Sequence, residues 1–156
     1  MKIVLLCPEI PQNTGNIIRL CACTGITLIL VGPLGFSLTS RLLKRSGLDY
    51  HDMASVKYIE DKSSFFNEYN YSMYEYNFIS KNGNKLYTEI NLDGEKETLL
   101  IFGNETQGLP ACFYMHYVNN LYRIPMLKEA RCLNLANSVS IVLYSLLLKE
   151  NFYGLC

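Results

Sequence analysis

The stretch PEIPQNTGNIIR, residues 8–19, combines residue types that suit a polar ligand. Two prolines stiffen it, and Gly15 lets backbone approach a ligand closely. Asn13 offers both a donor and an acceptor, and Arg19 adds a cation with a forked donor face. A helix that starts here would also present free N–H groups to an anion. The stretch therefore predicts either an anion-binding site or an ordinary capped helix with a solvated arginine.

Two later stretches also place glycine or amide residues directly after an apolar segment. In LLIFGNETQGLP, residues 99–110, Glu105 lies between two glycines that permit close backbone approach, and its carboxylate could accept from a ribose hydroxyl or cap the next helix. In residues 123–140, Asn134 and Asn137 share one helix face, so they either bind a ligand or cap each other. The stretch 99–110 is not a GxGxxG fingerprint and no Walker lysine follows it, which excludes the common phosphate-loop motifs there.

The basic residues cluster once, at Arg41, Lys44 and Arg45, whose spacing places them on one face of a predicted short helix. Lys plus Arg and Asp plus Glu both total 14, and this balance disfavours non-specific nucleic-acid binding, which usually needs a basic excess. A local basic patch is still compatible with zero net charge. The cluster is interpreted either as a solvated helix face or as a patch that contacts phosphates.

Apolar segments of strand length alternate with helical patterns along the chain. The strands are apolar throughout, which predicts an α/β fold with a mostly parallel sheet and helices on both faces. They span residues 2–7, 27–31, 56–59, 73–80, 98–103 and 122–124, with a weaker one at 85–90. The predicted helices run from Asn13 or Thr14 to Cys23 with Gly25 as the stop, over 41–45 and 63–68, from Pro110, and from about Leu133.

This pattern fits a single domain over residues 1–156. Ligands of parallel α/β sheets bind beyond the carboxyl ends of the strands. The three polar stretches all follow a predicted strand. They are therefore expected to meet at one edge of the sheet.

The six cysteines include no CxxC pair, and only two histidines accompany them, so metal-ligand spacing is absent. Cys7, Cys21 and Cys132 lie within apolar stretches and are predicted to act as small hydrophobes. Unpaired cysteines favour a reduced, cytoplasmic setting.

The stretch 132–148 carries no charge and reaches the lower length limit of a membrane helix. Its asparagine and serine residues argue against exposure to lipid, because unpaired amides are unfavourable there. A buried helix is therefore predicted in preference to a membrane span or an interfacial anchor.

Four stretches in this order, PEIPQNTGNIIRLCACTG, GLDYHD, FGNETQGLP and RIPMLKEARCLNLANSVSIVLY, resemble the tRNA wobble-nucleotide 2'-O-methyltransferases of the SPOUT class (YibK-like). The resemblance runs from about residue 3 to residue 150, with a longer loop near 81–96. It implies a C-terminal trefoil knot, a homodimer, and methyl transfer from S-adenosylmethionine to the ribose 2'-hydroxyl of the wobble nucleotide (position 34) in a tRNA anticodon loop. Neither a membrane nor a metal is implied.

The resemblance also implies a role for particular residues. Three loops, Phe78–Ser80, Gly103–Gly108 and Ile124–Leu133, would hold the cofactor. The implied cofactor contacts are Phe78, Ile79, Gly103, Glu105, Gly108, Ile124, Met126, Cys132 and Leu133. The implied RNA contacts are Arg41, Lys44, Arg45 and Tyr144.

Arg19 matches the family arginine assigned near the reacting hydroxyl, and Asn13 would position Arg19 or the ribose. A guanidinium stays protonated and is a poor base. Arg19 is therefore expected to hold a phosphate and stabilise the developing alkoxide.

The chain departs from the family at three positions. The family usually has serine where Cys132 and Ala136 stand, and often glutamate where Ser145 stands. Cys132 and Ala136 leave room for a paralogue that binds cofactor and RNA without catalysis, whereas the intact Asn13 and Arg19 favour an enzyme. Methylation of another RNA ribose, or an α/β domain with no nucleic-acid role, are the remaining alternatives.

Overall fold

The computed structural model describes residues 1–37, 56–92 and 94–156. The basic cluster of Arg41, Lys44 and Arg45, with its predicted helix, lies outside the described residues. The described strands are β1 (Lys2–Leu6), β2 (Thr27–Val31), β3 (Val56–Ile59), β4 (Tyr74–Ile79), β5 (Lys85–Leu86), β6 (Glu97–Phe102) and β7 (Leu121–Arg123). The described helices are α1 (Pro11–Thr24), α2 (Lys62–Glu68), α3 (Ala111–His116) and α4 (Leu135–Lys149), with 3-10 turns at Tyr87–Glu89 and Val118–Asn120.

The strands form one sheet in the order β3-β2-β1-β6-β4-β7-β5, and every neighbouring pair is parallel. The parallel α/β prediction is thus confirmed. The chain moves from β1 outward to β3 and then crosses back, so that β6 pairs with β1 on its other side. This crossover makes the β1–β6 boundary the topological switch point, where a ligand crevice is expected.

Each face of the sheet is covered by a helix pair. Alternate residues of β1 point to opposite faces, so Ile3 joins a core with α1 and α4, and Val4 joins a core with α2 and α3. The first core is aliphatic, and the second is built from stacked and edge-on aromatic rings such as the Phe78–Phe113 pair at 5.2 Å between centroids.

The apolar stretch 132–148 supplies α4, whose inner face is buried against α1 and the sheet. Within the residues that the structure describes, no helix has the length and apolarity needed to cross a membrane. The buried-helix prediction holds for one side of α4 only, because Ile141, Tyr144 and Leu148 are exposed on the other.

The start of α1 corrects the predicted N-cap. Ile10 is the cap residue and Pro11 occupies the first helical position, where its fixed φ is already helical. Asn13 and Thr14 therefore lie inside the first turn, and Asn13 uses its side chain elsewhere. Gly25 ends the helix at φ 67°, as predicted.

Smaller shifts occur at other element ends. The predicted strand at 85–90 shortens to two residues because a 3-10 turn begins at Tyr87. The last strand lies one residue earlier than predicted, and Pro110 caps α3 instead of entering its first turn. The terminal helix begins at Leu135 after the cap residue Asn134.

The cysteine prediction is correct only in part. Cys21 is fully buried in the aliphatic core, and burial raises the pKa of its thiol to about 12. Cys7 is half-buried, whereas Cys132 is exposed and does not act as a core residue.

Candidate active site

The segments after β1, β4, β6 and β7 surround a cavity of about 530 Å³ at the carboxyl edge of the sheet. This volume falls in the range of ligand pockets, roughly 300–1,000 Å³. Its lining includes nine of the residues predicted for the site: Asn13, Ile79, Gly103, Glu105, Gly108, Ile124, Met126, Cys132 and Leu133. Residues distant in the sequence thus meet at the edge expected from the strand pattern.

The Glu105 carboxylate joins the loop after β6 to the start of α1. One oxygen accepts from the backbone N–H of Glu9 at 2.8 Å, and the other accepts from the Ile10 N–H at 3.2 Å. The Nδ2 group of Asn13 also donates to this second oxygen, at 3.0 Å. Glu105 therefore satisfies two backbone donors that precede α1 and one side-chain donor in its first turn, and it does not cap the helix that follows it in the chain.

Asn13 continues this connection to the third segment. Its Oδ1 accepts from Asn134 Nδ2 at 2.8 Å. The Oδ1 of Asn134 in turn accepts from the backbone N–H groups of Ala136 and Asn137, at 2.8 and 3.4 Å, and so caps α4. The side chain of Asn134 thus accepts from the backbone N–H of Asn137 instead of pairing with the Asn137 side chain. The three side chains Glu105, Asn13 and Asn134 form what we call the loop-linking chain.

A second carboxylate makes the reciprocal contact. Glu9, from the loop after β1, accepts from Asn104 Nδ2 at 3.0 Å and from the Thr106 hydroxyl. Asn104 also accepts from the backbone N–H groups of Gln107 and Gly108, at 2.7 and 3.0 Å. Each of the two loops therefore supplies a glutamate that accepts from the other, which holds both in one arrangement.

Glycine is required where the β6 loop turns back on itself. A Cβ atom on Gly103 would lie 2.1 Å from the carbonyl carbon of Gly108, far inside van der Waals contact. Gly108 has φ +71°, which favours glycine. The close backbone approach expected at these glycines occurs within the loop, between Gly103 and Gly108.

The cavity offers both apolar and polar contacts. Ile79, Phe102, Ile124 and Leu133 supply apolar surface. A hydrogen bond of 2.7 Å between the hydroxyls of Ser80 and Tyr114 holds the polar end of the wall. A nucleoside with an attached charged chain needs these same features, so the residues present fit S-adenosylmethionine.

Arg19 does not line this cavity. It follows Asn13 by six residues, which is about 120° away around the helix, and its side chain is exposed. Because Asn13 donates to Glu105 and accepts from Asn134, it does not hold Arg19 through its amide. The idea that Asn13 positions Arg19 directly finds no support in these contacts.

Phe78 is an expected cofactor contact, but its side chain also lies away from the cavity. The ring is fully buried in the aromatic core, on the face of the sheet opposite to Ile79. The period of two along a strand makes this inevitable once Ile79 faces the cavity. Tyr144 is half-exposed on α4, and its ring packs 6.3 Å from that of Phe152.

Sequence analysis missed several residues of the lining. Lys81 and Arg131 bring cations to the mouth of the cavity, and Tyr114 brings a hydroxyl from α3. Arg131 lies in a quoted stretch and Lys81 directly follows a predicted strand, so position relative to the strands was an available signal. Nothing local marked Tyr114. Within the described residues, no group of three or more His, Cys, Asp or Glu side chains is arranged to hold a metal ion.

Related proteins match nearly the whole chain. The profile of the SpoU rRNA Methylase family matches residues 1–144. A tRNA (cytidine(34)-2'-O)-methyltransferase of Saccharophagus degradans is 41% identical over 155 residues, covering 98% of this chain and 97% of that protein. A solved structure from work on the 2-OH methylation of C/U34 on tRNA has a TM-score of 0.85 and 32% identity, over 96% of each chain.

A third match carries a bound ligand. It is an AdoMet-bound rRNA methyltransferase from Sinorhizobium meliloti, with a TM-score of 0.82 and 25% identity. The alignment covers 95% of this chain and 56% of that one.

Proposed function

Because the chain belongs to the SpoU rRNA methylase family, we propose that it transfers a methyl group from S-adenosylmethionine to the ribose 2'-hydroxyl of nucleotide 34 of tRNA. A relative about as long as this chain, at 41% identity, is a tRNA (cytidine(34)-2'-O)-methyltransferase. The observation that carries the proposal is the loop-linking chain, since it draws the three family stretches around one cavity.

The 530 Å³ cavity is the proposed cofactor site. Apolar side chains such as Ile79 and Ile124, together with the backbone of Gly103 and Gly108, would hold S-adenosylmethionine. When bound, S-adenosylmethionine supplies a methyl group on a positively charged sulfur. The role of the cavity is to hold that group at attack distance from the hydroxyl and to keep water away. Cys132 lines the cavity in place of the usual serine, so its backbone is the contact expected to persist.

Arg19 is the proposed catalytic cation. Within the described residues it forms no ion pair, so its guanidinium is available for RNA. A fixed cation beside the attacking oxygen stabilises charge that develops as the hydroxyl loses its proton. Its exposed position suits an RNA-facing role better than contact with the cofactor. Asn13 contributes by holding the loops through Glu105 and Asn134.

We further propose a homodimer that uses the exposed side of α4. Ile141, Tyr144 and Leu148 are spaced by three and four residues, which places them on one helix face. An apolar stripe of this kind suits an interface with a second copy. The trefoil knot that the resemblance implies would lie in the loops that precede α4. A cytoplasmic location accords with six cysteines that form no disulfide.

The experiment that tests the function is methyl transfer from labelled S-adenosylmethionine to total tRNA, followed by nucleoside mapping. Label in a 2'-O-methylated nucleotide 34, lost in Arg19→Ala, is the expected result. Label in another tRNA or rRNA ribose would show the same methyl-transfer reaction on a different substrate nucleotide. Cofactor binding without transfer to either RNA would show a protein that kept the pocket and lost the reaction, and would point to Cys132 and Ala136.

A further inference from the structure

A second cavity of about 430 Å³ adjoins the proposed cofactor site at the carboxyl edge of the sheet. It opens beside the ends of β1 and β6, next to the start of α2. The two cavities share a wall that includes Asn82, Gln107 and Tyr114. Its volume is also in the range of ligand pockets, roughly 300–1,000 Å³.

The shared wall combines side chains that are held by hydrogen bonds, among them Tyr114 and Asn104, with two free amides. The Tyr114 hydroxyl is hydrogen-bonded to Ser80, which fixes the ring between the cavities. The side-chain amides of Asn82 and Gln107 are exposed and make no hydrogen bond within the described residues. The backbone of Gln107 is held by Asn104, so its amide is carried on a fixed loop.

Lys62 is the one charged residue among the described residues that line the second cavity. It is half-buried at the first position of α2 and has no ion-pair partner in the described part of the chain. The thiol of Cys7 donates to the Gly32 carbonyl at 3.3 Å, so it is already engaged. The cavity thus combines free amides, an aromatic wall and an uncompensated cation.

We propose that this second cavity binds the base of the nucleotide whose ribose is methylated, with Lys62 on an adjacent phosphate. The inference rests on the proposed function. The reacting ribose must lie beside the methyl donor in the first cavity, and its base must then occupy adjoining space. RNA readers hold such unstacked bases by aromatic contact and by hydrogen bonds to the base edge.

The side-chain amides would allow this cavity to bind either cytosine or uracil. Cytosine presents an amino donor at the position where uracil presents a carbonyl acceptor. A side-chain amide carries one donor group and one acceptor, and a half-turn exchanges them. Gln107 can therefore pair with either base, in line with a solved relative that concerns C/U34.

The test uses the full chain and two tRNA transcripts that differ only in C34 or U34, with S-adenosylhomocysteine present during binding. Gln107→Glu leaves only acceptors, so the ratio of C34 to U34 affinity should rise at least about tenfold. Gln107→Met should lower the affinity for both transcripts by about fivefold or more. Lys62→Ala should reduce the slope of log affinity against log salt by roughly 0.7.

Lys96→Ala is the matched control for charge, because Lys96 precedes β6 at the opposite edge of the sheet and should leave all three quantities unchanged. Affinity for S-adenosylmethionine, measured by calorimetry, should stay within about twofold in Lys62→Ala, because Lys62 lines the second cavity and not the first. If wild type methylates tRNA but the Gln107 and Lys62 variants bind both transcripts normally, the inference is wrong and the function stands. Loss of cofactor affinity in Lys62→Ala would assign the second cavity to the cofactor instead. Failure of wild type to methylate any RNA would remove the proposed function itself.

Discussion

Asn134 donates a hydrogen bond of 2.8 Å to the side-chain oxygen of Asn13, from which it is separated by 121 residues. Asn13 is buried and simultaneously donates to Glu105. One amide therefore uses its donor for the loop after β6 and its acceptor for the cap of α4. The geometry of the candidate site therefore depends on this side chain, which joins two of its loops.

Replacing Asn13 by aspartate tests this dependence. The new carboxylate would face Glu105 with no donor between them, so we expect a loss of about 1–3 kcal/mol in the free energy of unfolding at pH 8. Carboxylates that share a site raise each other's pKa, so protonation begins at a higher pH than usual. The deficit relative to wild type should then shrink as the pH falls toward 5. Urea unfolding at both pH values measures it.

Asn16→Asp is the matched control, since Asn16 is exposed on the same helix. It should change stability by less than about 0.5 kcal/mol. Equal effects of the two substitutions would contradict a special role for the loop-linking chain.

Arg19→Ala should lower kcat for tRNA methylation by about 10²–10³-fold, as expected for loss of a group that stabilises developing charge. Because Arg19 is exposed, the midpoint of thermal unfolding and the Kd for S-adenosylmethionine should stay near those of wild type. Arg19→Lys should recover part of kcat by restoring the charge without the fork. A tenfold weaker cofactor affinity in Arg19→Ala would instead place this residue at the cofactor.

Ile141→Asp should convert the proposed dimer to a monomer. A charge in the middle of the apolar stripe on α4 would be buried without a partner at the interface. Sedimentation velocity measures the state directly. Met115→Asp makes the same change on α3, on the other face of the sheet, and should not alter the sedimentation coefficient. A dimer that survives Ile141→Asp would show that the interface lies elsewhere.

Thiol labelling should separate the cysteines by their surroundings. The reactive species is the thiolate, and burial raises the pKa of Cys21 to about 12, so this residue should stay unlabelled at pH 8 in the folded protein. Cys132 and Cys156 are both exposed and should react. S-adenosylhomocysteine should slow labelling of Cys132, which lines the cavity, and leave Cys156 unaffected. Mass spectrometry of digested protein measures each site. Equal protection of both cysteines would speak against the cavity as the cofactor site.

The strand pattern was largely predictable from the sequence, because its signals are local. Continuous apolar runs such as residues 27–31 are typical of strands buried on both faces, as in a covered parallel sheet, and Gly25 needs no distant partner to end α1. The same runs showed which polar stretches follow strands, and therefore which ones meet at the carboxyl edge. The motif resemblance then extended these local signals to a reaction.

Tertiary structure alone decided which side chains pair. Glu105 meets Asn13 because β6 crosses back to lie beside β1, and no pattern within either stretch encodes that neighbour. Periodicity separates Phe78 from Ile79 and Arg19 from Asn13, whereas only the packing of distant elements decided that Ile79 and Asn13 are the ones that face the cavity. Periodicity along a chain fixes the face of an element, whereas the partner of that face depends on how distant elements pack.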